Sequence, residues 1–192
     1  MATLESTERD GRERSERTTA SGIEGAAERA IEAYAGDSAD ELPIAGYATM
    51  LGVFVGAFAT LAFAARRAEV LPVRVPMPDV VLLGVATHKL TRIVARERVT
   101  IPLRVPFTHY EGSDGAGQVH EEPRGRGVQR AIGSMLTCQY CAGPWIATGL
   151  TAGLIFAPRI TRLASAMFAM VALSDFLHQA YAGARRWSEP RR

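Results

Sequence analysis

Two cysteines stand three positions apart in the run Cys138-Gln139-Tyr140-Cys141. That spacing serves two chemistries: a dithiol that exchanges with a disulfide, or half of a zinc site. A closed zinc site needs roughly four ligands, so His109 and His120 would have to fold back onto the pair, or two chains would have to pool their cysteines. Zinc therefore enters as an alternative at Cys138 and Cys141, and no other cofactor is expected. A membrane redox pair usually relays electrons through a second cysteine pair or a partner thiol; this chain has no second pair, and the cytoplasm is reducing. Structural thiols are the third reading. A secreted scaffold held by several disulfides is excluded by the cysteine count.

A second set of reactive types is His88, Lys89 and Arg92, followed by Arg96, with Asp175 and His178 one helical turn apart later in the chain. Inside a membrane such groups are costly, and they either serve a function or neutralise one another. Asp175 lies about ten residues before Arg185 and Lys89 about seven before Arg96, which puts the two within about 5 Å of each other in depth. Asp175 is therefore expected to neutralise Lys89 or Arg92 across a bundle. A transporter-like bundle working through Asp175 and His178 would need a hydrated central cavity. No Gly-rich phosphate loop, HExxH helix or nucleophile elbow occurs, and no catalytic residue is assigned.

The stretches that must hold these residues are segregated by charge. Met1 to Ala20 is mixed in charge with little to bury, and is expected to be disordered. Ser21-Gly22-Ile23-Glu24 reads as a capping box opening a short amphipathic helix that stops at Gly36. Residues 1–42 thus form an acidic extension ahead of a membrane domain over 43–187. Ile44 to Ala65 has no charged residue and is long enough to cross about 30 Å of hydrocarbon at about 1.5 Å per residue. Within it Ala48, Gly52, Gly56, Thr60 and Ala64 recur every four residues, a small-residue ridge suited to helix packing. Further spans are expected at about 79–95, about 142–157, with Gly149 and Gly153 in GxxxG spacing, and about 160–182. The helix over 79–95 could instead lie at the interface with its basic side snorkelling.

The connection over 97–130 is polar and Pro/Gly-rich. Its Gly112-Ser113-Asp114-Gly115 run is a turn signal that closes a small hairpin joining Phe107–Tyr110 to Gln118–Glu121. Val128, Ala131, Ile132, Met135 and Leu136 then line one side of a helix lying in the membrane surface, which delivers the chain to the cysteines. The fold class expected is all-α: a small bundle of three to four transmembrane helices, four preferred, with an interfacial helix and a disordered N-terminus.

A net charge of +2 is too small to argue for nucleic acid. Arginine crowds the connection from Arg92 to Arg130 and the tail from Arg185, which by the positive-inside rule puts the cysteines and the C-terminus in the cytoplasm. The segment through Asp40 lacks the basic start of a cleavable signal, so a multi-pass inner-membrane protein targeted by its own helices is expected. Its expected partners are the bilayer and, through the small-residue ridges, a second copy or another membrane protein.

Two stretches carry a family resemblance. His88-Lys89-Leu90-Thr91-Arg92 runs into Pro102-Leu103-Arg104-Val105-Pro106-Phe107, and Ile132-Gly133-Ser134-Met135-Leu136-Thr137 leads into Cys138-Gln139-Tyr140-Cys141-Ala142-Gly143-Pro144-Trp145. Together they resemble the bacterial membrane-protein family catalogued only as domain of unknown function 1360, some of whose members are labelled sporulation proteins. The likeness covers roughly 80–182. The family pattern centres on the Leu-Thr-Arg turn, the Pro-Leu-Arg segment and Cys-x-x-Cys-x-Gly-x-Trp, not on His109 or His120, which weakens the zinc reading. The acidic residue usual after the first motif corresponds to Glu97. The resemblance implies a membrane location and supplies no reaction. The leading expectation is a non-enzymatic membrane protein that presents a basic cytoplasmic loop and a CxxC turn to lipid or a protein partner. The alternative is a metal-binding or thiol-redox membrane protein acting through Cys138 and Cys141.

Overall fold

The computed structural model describes residues 22, 25–26, 29–30, 33–34, 43–72, 74–115 and 117–188. The disorder expected of Met1 to Ala20 lies outside the described residues, as does most of the capping box; the described positions between 22 and 34 are helical. The chain divides into two compact units, Met1–Ile44 and Ala45–Arg192. All that follows concerns the second, together with the helix that enters it.

Among the described residues this unit has five long helices and a hairpin. Helix α1 (Ile44–Arg67) precedes α2 (Met77–Arg96), a 3-10 turn (Arg98–Thr100) and a single helical turn (Ile101–Arg104). Strands β1 (Thr108–Gly115) and β2 (Gln118–Pro123) pair antiparallel, and α3 (Gly127–Thr137), α4 (Gln139–Phe156) and α5 (Pro158–Ser188) follow. Proline sets two of the starts. Pro78 lies in the first turn of α2 and Pro158 opens α5, positions where a missing N–H breaks no helical bond. Glu97, with extended backbone (φ −82°, ψ 147°), ends α2.

The expectation of an all-α bundle of three to four transmembrane helices is overturned on two counts. The connection over 97–130 holds a two-stranded antiparallel sheet, and among the described residues only α1 and the Pro158–Trp187 part of α5 are both long and apolar enough to cross a membrane. The helices expected at 79–95 and 142–157 do form. However, α2 carries Asp79, Lys89, Arg92 and Arg96 in its 20 residues, and the 18 residues of α4 include Gln139, Tyr140 and Pro144, which dilute its hydropathy. The hairpin also reverses later than expected. Gly112-Ser113-Asp114-Gly115 lies within β1, and the chain turns between Gly115 and Gln118, where Gly115 (φ 74°) and Gly117 (φ 81°) take a left-handed backbone open to glycine at little cost.

Helix α2 packs chiefly on α5 and α4. Apart from the charged Asp79 and Lys89, the buried positions of this seam are small: among them Ala86 and Ala95 on α2, Ala142 on α4, Ser165 and Ala172 on α5. Small side chains let the backbones approach closely, so dispersion contacts accumulate along the seam. Helix α1 is held differently. Gly46 sits against α3, where an added Cβ would come within 2.7 Å of the Gly127 carbonyl oxygen and 2.8 Å of Ala131 Cβ. Further along, Phe54 packs edge-on against Trp145 of α4, with ring centroids 5.1 Å apart. Most of the rest of α1 is uncovered, including Leu51, Val55, Phe58 and Phe63. Of the glycines expected to pack, Gly52, Gly56 and Gly149 have nothing within 4 Å of a would-be Cβ within this chain, while Gly153 meets Thr161 at the start of α5.

Candidate functional site: a helix-capping disulfide beside a polar recess

Cys138 is the single extended residue between α3 and α4 (φ −105°, ψ 105°) and caps the N-terminus of α4. Its Sγ accepts the Cys141 N–H at 3.2 Å, and the two cysteines form a disulfide with their Cα atoms 5.2 Å apart. The arrangement follows from the spacing, because three residues after an N-cap the chain has returned to the same side in the first turn. Cys138 is half-buried and Cys141 exposed. Cys141 borders an apolar groove of about 390 Å³ that also takes in Tyr47, Met50 and Phe54 of α1, Met135 of α3 and Trp145 of α4. His109 and His120 lie on the hairpin, 3.9 Å from Glu111 and 4.0 Å from Asp114 respectively. They do not join the cysteines: no group of three or more His, Cys, Asp or Glu side chains placed to hold a metal occurs among the described residues.

The second set of expected residues gathers at one end of α2. Lys89 is 5% exposed, and its Nζ donates to Asp175 Oδ2 at 2.9 Å and to Glu97 Oε1. Burial disfavours the ammonium, but the hydrogen bonds and charges of the two carboxylates outweigh it and raise the lysine above its ordinary value. Asp175 is thus paired with Lys89 rather than Arg92. Together with Arg92, Gln118, His178 and Gln179, this triad lines an open recess of about 710 Å³. His88 is exposed and stacks on Phe176, with centroids 6.1 Å apart.

Three features of this end and its opposite were not anticipated. Glu97 completes the Lys89 pair; its match to the acidic residue usual after the first family motif marked the position but not this partner. Asp79 in the first turn of α2 receives two hydrogen bonds from Arg162 of α5, at 2.9 and 2.7 Å, and this guanidinium holds the Asp79 carboxyl below the usual carboxylate range. Asp79 comes one residue after Pro78 and Arg162 four after Pro158, so both lie near the starts of their helices, but no spacing in the sequence links them. Arg104 is fully buried and donates to Glu121 Oε2 (2.5 Å), the Val94 and Glu97 carbonyls (2.5 and 3.1 Å) and Thr100 Oγ1 (2.6 Å). It thereby ties β2 to the end of α2.

Comparison with known proteins places this geometry. The chain is 35% identical over 72 residues to the sporulation protein YjcA of Bacillus subtilis (strain 168), a match covering 35% of this chain and 60% of that protein. It is 33% identical over 82 residues to the UPF0713 protein YngL of the same organism, covering 42% of this chain and 60% of that protein. The chain thus spans 60% of the length of these two relatives. No solved structure matches it significantly. The family described as protein of unknown function (DUF1360) matches residues 82–181, a segment that holds the Lys89 triad, Arg104, the hairpin and both cysteines. Since that match covers more than half of its length, the chain belongs to the DUF1360 family.

Proposed function

We propose that this chain is a membrane-anchored thiol–disulfide protein in which Cys138 and Cys141 alternate between dithiol and disulfide. The observation that carries the reading is the position of Cys138, which is at once the disulfide partner of Cys141 and the N-cap of an 18-residue helix. Its sulfur accepts a backbone N–H and faces the positive end of the α4 dipole, both of which favour the thiolate over the thiol. α1 and α5 supply the anchor.

On the cytoplasmic face, where the arginine distribution points, the pair rests as a dithiol. Cys138 thiolate attacks a disulfide of a partner protein; the partner's S–S bond breaks, one partner sulfur leaves and takes a proton, and a mixed disulfide forms. The Cys141 thiol then gives up its proton and attacks Cys138 Sγ, which releases the second partner thiol and closes the Cys138–Cys141 bond. Two electrons pass from the dithiol to the partner disulfide, and the reverse sequence returns them. The competing reading, non-enzymatic presentation of a basic loop to lipid or partner, has less support. The five arginines of residues 97–130 are matched by five acidic residues, and Arg104 is fully buried.

The test is a redox titration of the detergent-purified full chain in glutathione buffers, read by thiol alkylation. Reversible conversion with a midpoint between about −120 and −270 mV is expected, the range of known exchanging dithiol couples. In cells, Cys141→Ser should accumulate mixed disulfides through Cys138, while Cys138→Ser should not. A pair that never changes state across that range, or equal adduct formation by both variants, would sink the reading.

A further inference from the structure

Arg92 stands apart from the other cations around it. Lys89 is engaged by Glu97 and Asp175, Arg96 by Asp114 at 3.3 Å, Arg98 by Ser113 at 2.7 Å and Arg104 by Glu121. Arg92 has no hydrogen bond or ion pair among the described residues, yet it is half-buried. A guanidinium that has surrendered part of its hydration without gaining an acceptor is destabilising unless something else supplies the oxygens.

The surroundings say what that would be. Arg92 lies in the wall shared by the recess of about 710 Å³ and a second of about 360 Å³ lined also by His88, Arg96, Asp114 and Gln139. Gln118 is common to both. The carboxylates in these walls, Glu97, Asp175 and Asp114, already face Lys89 or Arg96. What remains to meet a ligand is one guanidinium fork, the amides of Gln118, Gln139 and Gln179, and the imidazoles of His88 and His178, contributed by α2, β2, α4 and α5. Donors arriving from four elements suit an oxyanion with oxygens on several sides, and the planar fork suits two of those oxygens at once. We infer that the recess centred on Arg92 binds a phosphate group, carried either by a lipid headgroup or by a free phosphate. This site is independent of the cysteine chemistry and stands or falls without it.

The experiment uses the full chain in a phosphate-free maltoside detergent, titrated with inorganic phosphate and, separately, with short-chain phosphatidylglycerol, by calorimetry. Saturable binding of at least one probe is expected, weakened about tenfold or more by Arg92→Gln, the loss of charge-assisted hydrogen bonds. Arg92→Lys should recover only part of it, because the charge returns without the fork. Arg124→Gln, exposed and outside both recesses, should bind like the unaltered chain. Phosphatidylglycerol that displaces inorganic phosphate, or binds alone, identifies a headgroup site, whereas inorganic phosphate that resists displacement identifies a free-phosphate site. Absence of saturable binding by either probe overturns the inference. So does equal weakening by Arg124→Gln and Arg92→Gln, or binding undiminished in Arg92→Gln. Should Arg92→Gln misfold by circular dichroism, the gap between the unaltered chain and Arg92→Lys decides, and no gap overturns it.

Discussion

At the scale of single residues, the informative groups are buried charges, and Lys89 and Arg104 are each held by more than one partner. Lys89 is enclosed by two carboxylates that are themselves only 28% and 35% exposed in their side chains. Its removal would leave Glu97 and Asp175 facing each other without a cation between them. Lys89→Met should therefore lower stability in detergent by about 2–3 kcal/mol, less than the roughly 3–5 kcal/mol for breaking a fully buried pair, because the carboxylates keep some water. Asp175→Asn should cost clearly less, since Glu97 still satisfies the ammonium. Thermal melts of the two variants check the order, and equal losses would contradict it. That Asp175 meets Lys89 or Arg92 was legible in advance from the depth of each residue along its helix; that it is Lys89 was not. The part played by Glu97 was not, because a carboxylate just beyond a helix end can turn toward solvent or back toward the core with no change in sequence pattern.

At the scale of elements, the hairpin and α3 are joined through a glycine. A Cβ at Gly133 would run into the Phe107 carbonyl oxygen and come within 3.1 Å of Pro123 Cβ, so the ends of both strands rest against a helix face without a side chain. Arg104 fixes the same hairpin from the other side through Glu121. Gly133→Ala should destabilise the chain by about 1–3 kcal/mol through overpacking, while Gly149→Ala, whose Cβ meets nothing, should be neutral or stabilising by up to about 1 kcal/mol. Denaturation in detergent compares the two, and a larger loss at Gly149 would reject this account of the hairpin's seat. Glycine spacing in the sequence drew attention to Gly52, Gly56, Gly149 and Gly153. Of these only Gly153 is closely approached, by the Thr161 side chain; the close approaches to backbone fall at Gly46 and Gly133, which belong to no repeat, because they need a facing backbone as well as a missing side chain.

At the scale of the whole molecule, two ion pairs order the helices. Asp79–Arg162 and Lys89–Asp175 occur in the same order along α2 and α5, so these helices run parallel, joined at points about 15 Å apart on one and about 20 Å on the other. The small-residue seam lies between them. Helix α1 contributes little to this assembly and leaves an apolar surface of 24 residues largely bare, which water would penalise and hydrocarbon would not. The full chain should therefore remain with the membrane pellet after an alkaline carbonate wash and leave it only with detergent. Release into the carbonate supernatant would contradict an anchoring role for α1 and α5.

The sequence by itself determined that Ile44 onward is a long uncharged helix, that the cysteines stand between two helices, and that the DUF1360 motifs lie together over the C-terminal half. Those features depend on local composition and on the 3.6-residue repeat, which neighbours in sequence dictate. Only the tertiary structure decided which charges meet, which glycines are crowded and that Arg92 is left unmatched among the described residues beside two recesses. Each of these is a distance between residues dozens of positions apart, set by how the helices and the hairpin settle against one another.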